Sequence, residues 1–213
     1  AVLSHFDAIR IGLTATPNLG HYEYVNEKEK KLVRNTYEFF DCWNHALKEG
    51  RPTFAYDIVD GIKDGFLAKY SIYLAKTRVT VQGVNYDGVD YKPSDLERKI
   101  TIRSRNRLMV EEFRLHETQR AGDHLRKTLV FAVTKNHAAQ LKEHFDAVFP
   151  EFKGEYAKII TSDTQNSDQI LADFKKQAFP ACLISVGMLD TGIDAPSIEN
   201  IVMMRPTISA ILY

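Results

Sequence analysis

The feature that most constrains this chain is the alternation of strand-like and helix-like segments between Lys127 and Met204. Thr128-Leu129-Val130-Phe131-Ala132-Val133 is an apolar run with strand character, and Thr134 stands where a helix cap is needed before a helical segment from Lys135 to about Phe149. Ala157 to Thr161 reads as the next strand, Asn166 to Gln177 as the next helix, Ala181 to Val186 as a further strand, and Asn200 to Met204 as the last. Ala181 to Val186 has no polar alternation, as expected of a strand buried on both faces. Strands joined through helices by short connections pair in parallel with right-handed crossovers. The pattern predicts an α/β fold, a parallel sheet with flanking helices.

In open sheets of this kind the ligand crevice lies beyond the carboxyl ends of the strands. The stretch following Val186 breaks at Gly187 and carries Asp190, Thr191, Gly192 and Asp194. Gly192 allows a backbone conformation closed to other residues, which lets amides approach a phosphate or a sugar. Taken alone, this is equally a strand followed by a turn rich in Asp and Gly.

Composition narrows the function classes. The chain has 213 residues with 28 Lys+Arg against 28 Asp+Glu, which excludes a generally basic DNA-coating protein but leaves room for a local basic groove. An apolar content of 44% fills a real core in one large or two small domains. Cys42 and Cys182 make no disulfide framework and predict a reducing, cytoplasmic setting. No apolar run is long enough to cross a membrane, so no membrane partner is expected. The start without Met and the end inside an apolar pattern, Ala210-Ile211-Leu212-Tyr213, predict a piece of a longer polypeptide. No metal site is expected. Cys42 and His45 have ligand-like spacing but no second pair, and His137 and His144 lack the His-Glu-x-x-His pattern. There is no Gly-x-x-x-x-Gly-Lys-Ser/Thr phosphate loop, so the chain does not cradle a nucleotide by itself.

The N-terminal half is less regular. Ala8 to Leu13 reads as a short buried strand ending in Thr14-Ala15-Thr16-Pro17. Val33, Tyr37, Phe40, Trp43 and Leu47 lie close to helical period, supported by Glu27-Lys31 and ended by Gly50 and Pro52, although Thr36 to Phe40 is equally compatible with a strand. Asp57 to Ala68 reads as a short helix capped by Asp57, Lys69 to Gln82 as a strand, and Asn85-Tyr86-Asp87-Gly88 as a turn. Arg98, Lys99, Arg103, Arg105 and Arg107 crowd together before a helix from about Asn106 to Gln119. They make either a phosphate-contacting cluster or the solvated face where that helix begins.

Three segments in order, Gly12 to Pro17, Thr128 to Ala138 and Met188 to Pro196, resemble motifs III, IV and V of a superfamily 2 helicase motor. Arg205-Pro206-Thr207-Ile208-Ser209 resembles the lead-in to motif VI. Tyr56 to Leu67, with Ile62-Lys63-Asp64-Gly65-Phe66-Leu67, is similar to a segment of the motor (R) subunit of type I restriction enzymes, and Asp41 to Gly50 is an insertion relative to that pattern.

That resemblance implies a RecA-like fold and a motor of two lobes that holds ATP and Mg2+ between them and tracks along double-stranded DNA. Residues 1–17 are then the end of the first lobe, 18–126 a linker region, and 127–213 the second lobe, cut before motif VI is complete. It assigns coupling of nucleotide state to lobe movement to Thr14 and Thr16, nucleotide contacts to Asp190, Gly192 and Asp194, and a DNA phosphate to Thr191. Further DNA contacts fall to Thr134 and Lys135 at a helix start, to Thr161, and to Arg103 and Arg105. The modification and specificity subunits of a restriction complex are the implied partners. The phosphate loop, the metal-binding motif, the motif VI arginines and the nuclease domain lie outside this chain, and loss of an arginine finger alone costs roughly 10³–10⁵-fold in rate. The fragment is therefore expected to be inactive alone. Two alternatives stay open here, a repair-type superfamily 2 helicase and a non-catalytic lobe that docks DNA or protein.

Overall fold

The computed structural model describes residues 11–14, 17, 35–40, 42–74, 77–119, 124–189 and 193–205. They belong to two compact units, Ala1–Ile72 and Tyr73–Tyr213.

In the first unit, Ile11 and Leu13 are 84% and 96% exposed, so residues 11–14 form no buried strand. They join no sheet among the described residues, and residues 1–10 lie outside that set. The helix expected around Val33 to Leu47 is one turn, α1 (Thr36–Phe39). Asn35 caps it by accepting from the amides of Tyr37 (2.9 Å) and Glu38 (3.3 Å). The chain then folds back as a hairpin, β1 (Trp43–Asn44) against β2 (Glu49–Gly50). Asn44 causes the reversal: its side chain accepts from the amides of Ala46 and Leu47, a local bond that competes with helix. Glu27 and Lys31 are outside the described residues.

The second expected helix is present as α2 (Ile58–Lys63), closed by a reciprocal capping box between Asp57 and Asp60. It is shorter than expected because Gly65, at φ +82, turns the chain, and the amides of Phe66 and Leu67 donate back to the Gly61 carbonyl. Tyr56 donates its hydroxyl to Asp64 at 2.9 Å. The Tyr56, Asp64, Gly65 and Leu67 positions of the recognised segment thus build one capped helical turn.

Where the first unit meets the second in sequence, no strand forms among the described residues of 69–82. Lys69 to Leu74 is irregular, with Tyr70, Ile72 and Tyr73 more than 60% exposed, and Arg78–Gln82 is a helix, α3. Alternating residues make a strand only where a neighbour supplies the ladder, and none is available among the described residues. The expected turn joins β3 (Val84–Tyr86) to β4 (Val89–Tyr91), with Asp87 and Gly88 both at positive φ, as a two-residue hairpin loop requires.

The long helix α4 (Arg103–Gln119) begins three residues earlier than expected. Then come β5 (Lys127–Phe131), α5 (Lys135–Val148), β6 (Ala157–Ile160), α6 (Ser167–Lys176), β7 (Cys182–Ser185) and β8 (Ile198–Met203). The four strands make one sheet in the order β6-β7-β5-β8, every pair parallel. The central strands β5 and β7 are buried throughout. Val130, Ala132, Cys182 and Ile184 point to one face, where they meet Leu141, Phe145 and Phe149 of the α5 side and Val110 of α4. Leu129, Phe131 and Leu183 point to the other, against Phe174 of α6. The result is a three-layer α/β/α arrangement.

Helix α4 belongs to this body. Phe113 meets Phe145 edge-on at 5.8 Å between centroids, and Arg114 lies over Phe149 at 4.9 Å while donating to the Val148 carbonyl at the end of α5. The second unit therefore begins well before residue 127.

Candidate functional site

The carboxyl ends of the parallel strands carry the polar loops. Beyond β5, Thr134 accepts from the His137 amide at 3.1 Å and so caps α5, as expected. His137 is fully buried, and its Nδ1 accepts from the Val133 amide at 3.2 Å. Burial, then the Arg105 guanidinium and His144, push its pKa down to about 4, so the ring is neutral with Nδ1 free to accept from the loop. No cluster of metal-ligating side chains exists among the described residues. Lys135, in the first turn of α5, is half-exposed and forms an ion pair with Asp163.

Beyond β6, residues 161–164 form a tight hydroxyl-bonded turn. The Thr161 amide donates to Thr164 Oγ1 (2.8 Å), and the Asp163 amide donates to Thr161 Oγ1 (3.4 Å). Thr161 is buried and its amide and hydroxyl are both used inside the turn, so the DNA contact expected of Thr161 is not offered by either group. The group this turn presents outward is the carboxylate of Asp163.

Beyond β7, Gly187 sits at φ +67, where a side chain would be strained, and Ser185 Oγ, fully buried, accepts from the Leu189 amide (3.2 Å). Ser185 anchors the loop, a role its place inside an apolar run gave no reason to expect. Because β8 is parallel to β7, residues 186–197 must return to the opposite edge of the sheet. The described start of this loop, residues 186–189, lies beyond the carboxyl ends. Ile193 packs on the Leu129–Leu183 face, and Asp194 is exposed on this crossover. Asp190, Thr191 and Gly192 lie outside the described residues, as does Thr16; Thr14 is exposed in the first unit. Past the end of β8, the Arg205 guanidinium lies over the Phe131 ring at 5.0 Å, adding a cation to the same edge as Lys135.

The basic cluster resolves into paired residues. Arg105 is buried, with Nη1 donating to Asn106 (3.1 Å) and lying 3.5 Å from Glu97, whose side chain is 0% exposed. That removes Arg105 from any solvent-facing DNA contact. Burial lowers its pKa against the opposing field of Glu97, which does not deprotonate an arginine. Glu97, at φ +62, was not foreseen: nothing in a turn sequence marks an acid destined for burial. Arg103 pairs with Glu143 (2.5 Å), Arg107 with Glu111 (2.8 Å) and Lys99 with Asp95 (2.8 Å), all on the surface. Positions 135 and 143 of α5 are separated by roughly 12 Å along the helix axis, so Arg103 lies well below the edge that carries Lys135.

This architecture, a parallel sheet of order β6-β7-β5-β8 with polar loops on one edge, is that of a RecA-like helicase lobe. Residues 107–213 match the helicase conserved C-terminal domain, and the chain belongs to that family. Within the superfamily 2 helicases its likeness is to type I restriction subunits. It is 30% identical, over its whole length, to the type I restriction enzyme EcoKI endonuclease subunit of Escherichia coli K12, and 26% identical over 95% of its length to the EcoAI endonuclease subunit of Escherichia coli. It spans 18% and 24% of those two proteins. A solved fragment described as an HsdR subunit of a type I restriction enzyme from Vibrio vulnificus YJ016 matches 99% of this chain with a TM-score of 0.70 and 25% identity, the match covering 36% of that fragment. Among the described residues no helix is long and apolar enough to cross a membrane.

Proposed function

We propose that this chain forms the second lobe, and the segment leading into it, of an ATP-dependent double-stranded DNA translocase of the type I restriction kind. The observation that carries the reading is the convergence of Thr134 and Lys135, the 161–164 turn, the Gly187 loop and Arg205 on one edge of a RecA-like sheet. The likeness to the EcoKI and EcoAI subunits favours the restriction family over other superfamily 2 helicases.

Thr134 offers the capped start of α5 and Lys135 its ammonium to the DNA backbone, and Thr191 adds a further phosphate contact. Asp194, with Asp190 and Gly192, borders the nucleotide site. The described part of this set fits the rim that one lobe contributes: an exposed carboxylate on the crossover and, at Gly187, a left-handed turn with open space around it. Hydrolysis of ATP with Mg2+ supplies the free energy, and Thr14 and Thr16 couple it to lobe movement. Without a phosphate-loop lysine the chain alone does not turn over ATP. The modification and specificity subunits, and a nuclease domain, complete the parent assembly, which works in the cytoplasm.

The test is ATP hydrolysis by the full-length polypeptide with and without duplex DNA, wild type against Asp194→Ala. DNA-stimulated turnover that collapses in the variant, with the fold intact by circular dichroism, is the expected result. Turnover indifferent to both DNA and the substitution refutes the motor reading in favour of a docking lobe.

A further inference from the structure

We propose that Asp163 occupies the place of a DNA phosphate on Lys135, so that duplex DNA gains this lysine only by displacing the carboxylate, and Asp163 sets how tightly the lobe holds DNA. The inference rests on the DNA reading of Lys135 given above.

The geometry is specific. Lys135 projects from beyond β5 and Asp163 from beyond β6, and β7 lies between those strands. Their ion pair therefore bridges the end of β7, where the Gly187 loop begins. Asp163 is held there by its turn. Its Oδ1 accepts from the Ser162 hydroxyl (3.1 Å), its Oδ2 from the Lys135 ammonium, and its amide donates to Thr161 Oγ1, itself anchored through Thr164. The Lys135 and Ser162 hydrogen bonds hold the carboxyl below the usual carboxylate range, so it is ionised at neutral pH. An ammonium recognises a carboxylate and a phosphodiester by the same chemistry, anionic oxygens accepting charge-assisted hydrogen bonds. Both side chains are more than half exposed, which leaves the exchange open to a ligand arriving from solvent.

The exchange has an electrostatic signature. In the native protein Lys135 is already neutralised; when a phosphate takes it, one cation leaves the DNA and one returns to Asp163. The pair therefore contributes little to the salt dependence of binding. Without the carboxylate, Lys135 contributes a full phosphate contact, and the slope of log affinity against log salt steepens by about 0.9. The gain in affinity at low salt is roughly two- to fivefold, the scale of one exposed ion pair. For a motor that must repeatedly release its track, a resident competitor makes release an exchange of partners rather than the exposure of a bare ammonium.

The experiment measures binding of a fluorescent duplex of arbitrary sequence by the full-length polypeptide across a salt series, for wild type, Lys135→Gln, Asp163→Asn and the double variant. The proposal expects weaker binding with little slope change for Lys135→Gln, and tighter binding with the steeper slope for Asp163→Asn. It also expects that gain to vanish in the double variant. No gain in Asp163→Asn overturns it. A gain that persists undiminished in the Lys135→Gln background also overturns it, because Asp163 then acts only as general repulsion. If Lys135→Gln changes affinity in neither background, the placement of Lys135 on DNA fails instead, which separates the two readings.

Discussion

Replacing Arg105 by Met should destabilise the second unit severely, and the reason is Glu97. The two side chains are 5% and 0% exposed with 3.5 Å between charged atoms. At an effective dielectric constant of about 20 that separation corresponds to roughly 5 kcal/mol of attraction, set against the desolvation of both groups. Neither carboxylate oxygen of Glu97 accepts a hydrogen bond among the described residues, so the guanidinium is what offsets its burial. Arg105→Met strands a buried anion, a change that costs about 3–5 kcal/mol. The further substitution Glu97→Gln removes the anion, and the double variant should lose less than half as much as the single one. Urea unfolding followed by far-UV circular dichroism reads both, provided the denaturant slope is unchanged. A single variant within about 1 kcal/mol of wild type, or a double variant as unstable as the single, refutes the argument that the pair compensates buried charge.

Two further predictions concern other parts of the chain. With a folded pKa of about 4 against 6.5 for the free side chain, His137 takes its proton in the unfolded state first, so stability holds above pH 6.5 and falls as pH drops from 6.5 to 4, by about 3 kcal/mol in all. A His137 imidazole that titrates near 6.5 by NMR contradicts this. In the first unit a Cβ at Gly50 would meet the Tyr37 ring at 2.4 Å, and Tyr37 stacks with Trp43 at 6.4 Å. Gly50→Ala should loosen the hairpin by about 1–3 kcal/mol. Trp43 is the only tryptophan, so an unchanged fluorescence spectrum and unfolding midpoint would sink that idea.

The parts of the chain that were legible share a physical cause. Leu129 to Phe131 and Leu183 to Ile184 are apolar on both faces because helices cover both, so the strands and their parallel order follow from the run and its spacing. Thr134 and Asp57 declare their helices because a cap acts over three residues. The Asp87-Gly88 turn is legible for the same reason. The misreadings share a cause too. Tyr70, Ile72 and Tyr73 alternate, and Tyr37, Phe40 and Trp43 recur at helical period, but periodicity names a face without naming what covers it. Where the described residues supply no sheet neighbour, or where the Asn44 side chain offers the backbone a competing bond, the period decides nothing.

The candidate site divides along the same line. By itself the sequence determined the α/β frame, the strands whose ends carry the site, the cap that starts α5 and the family likeness, all consequences of neighbours close along the chain. Only the tertiary structure decided which charges are in solvent and which partner each one has. Arg105, within seven residues of every other basic group of the same cluster, turned inward to Glu97, Arg103 took Glu143 of another helix, Thr161 spent its hydroxyl on its own turn, and Lys135 met Asp163 across the end of an intervening strand. Charge is a property of a residue, but its solvation and its partner are set by residues far away in sequence, and those distances exist only once the sheet has formed.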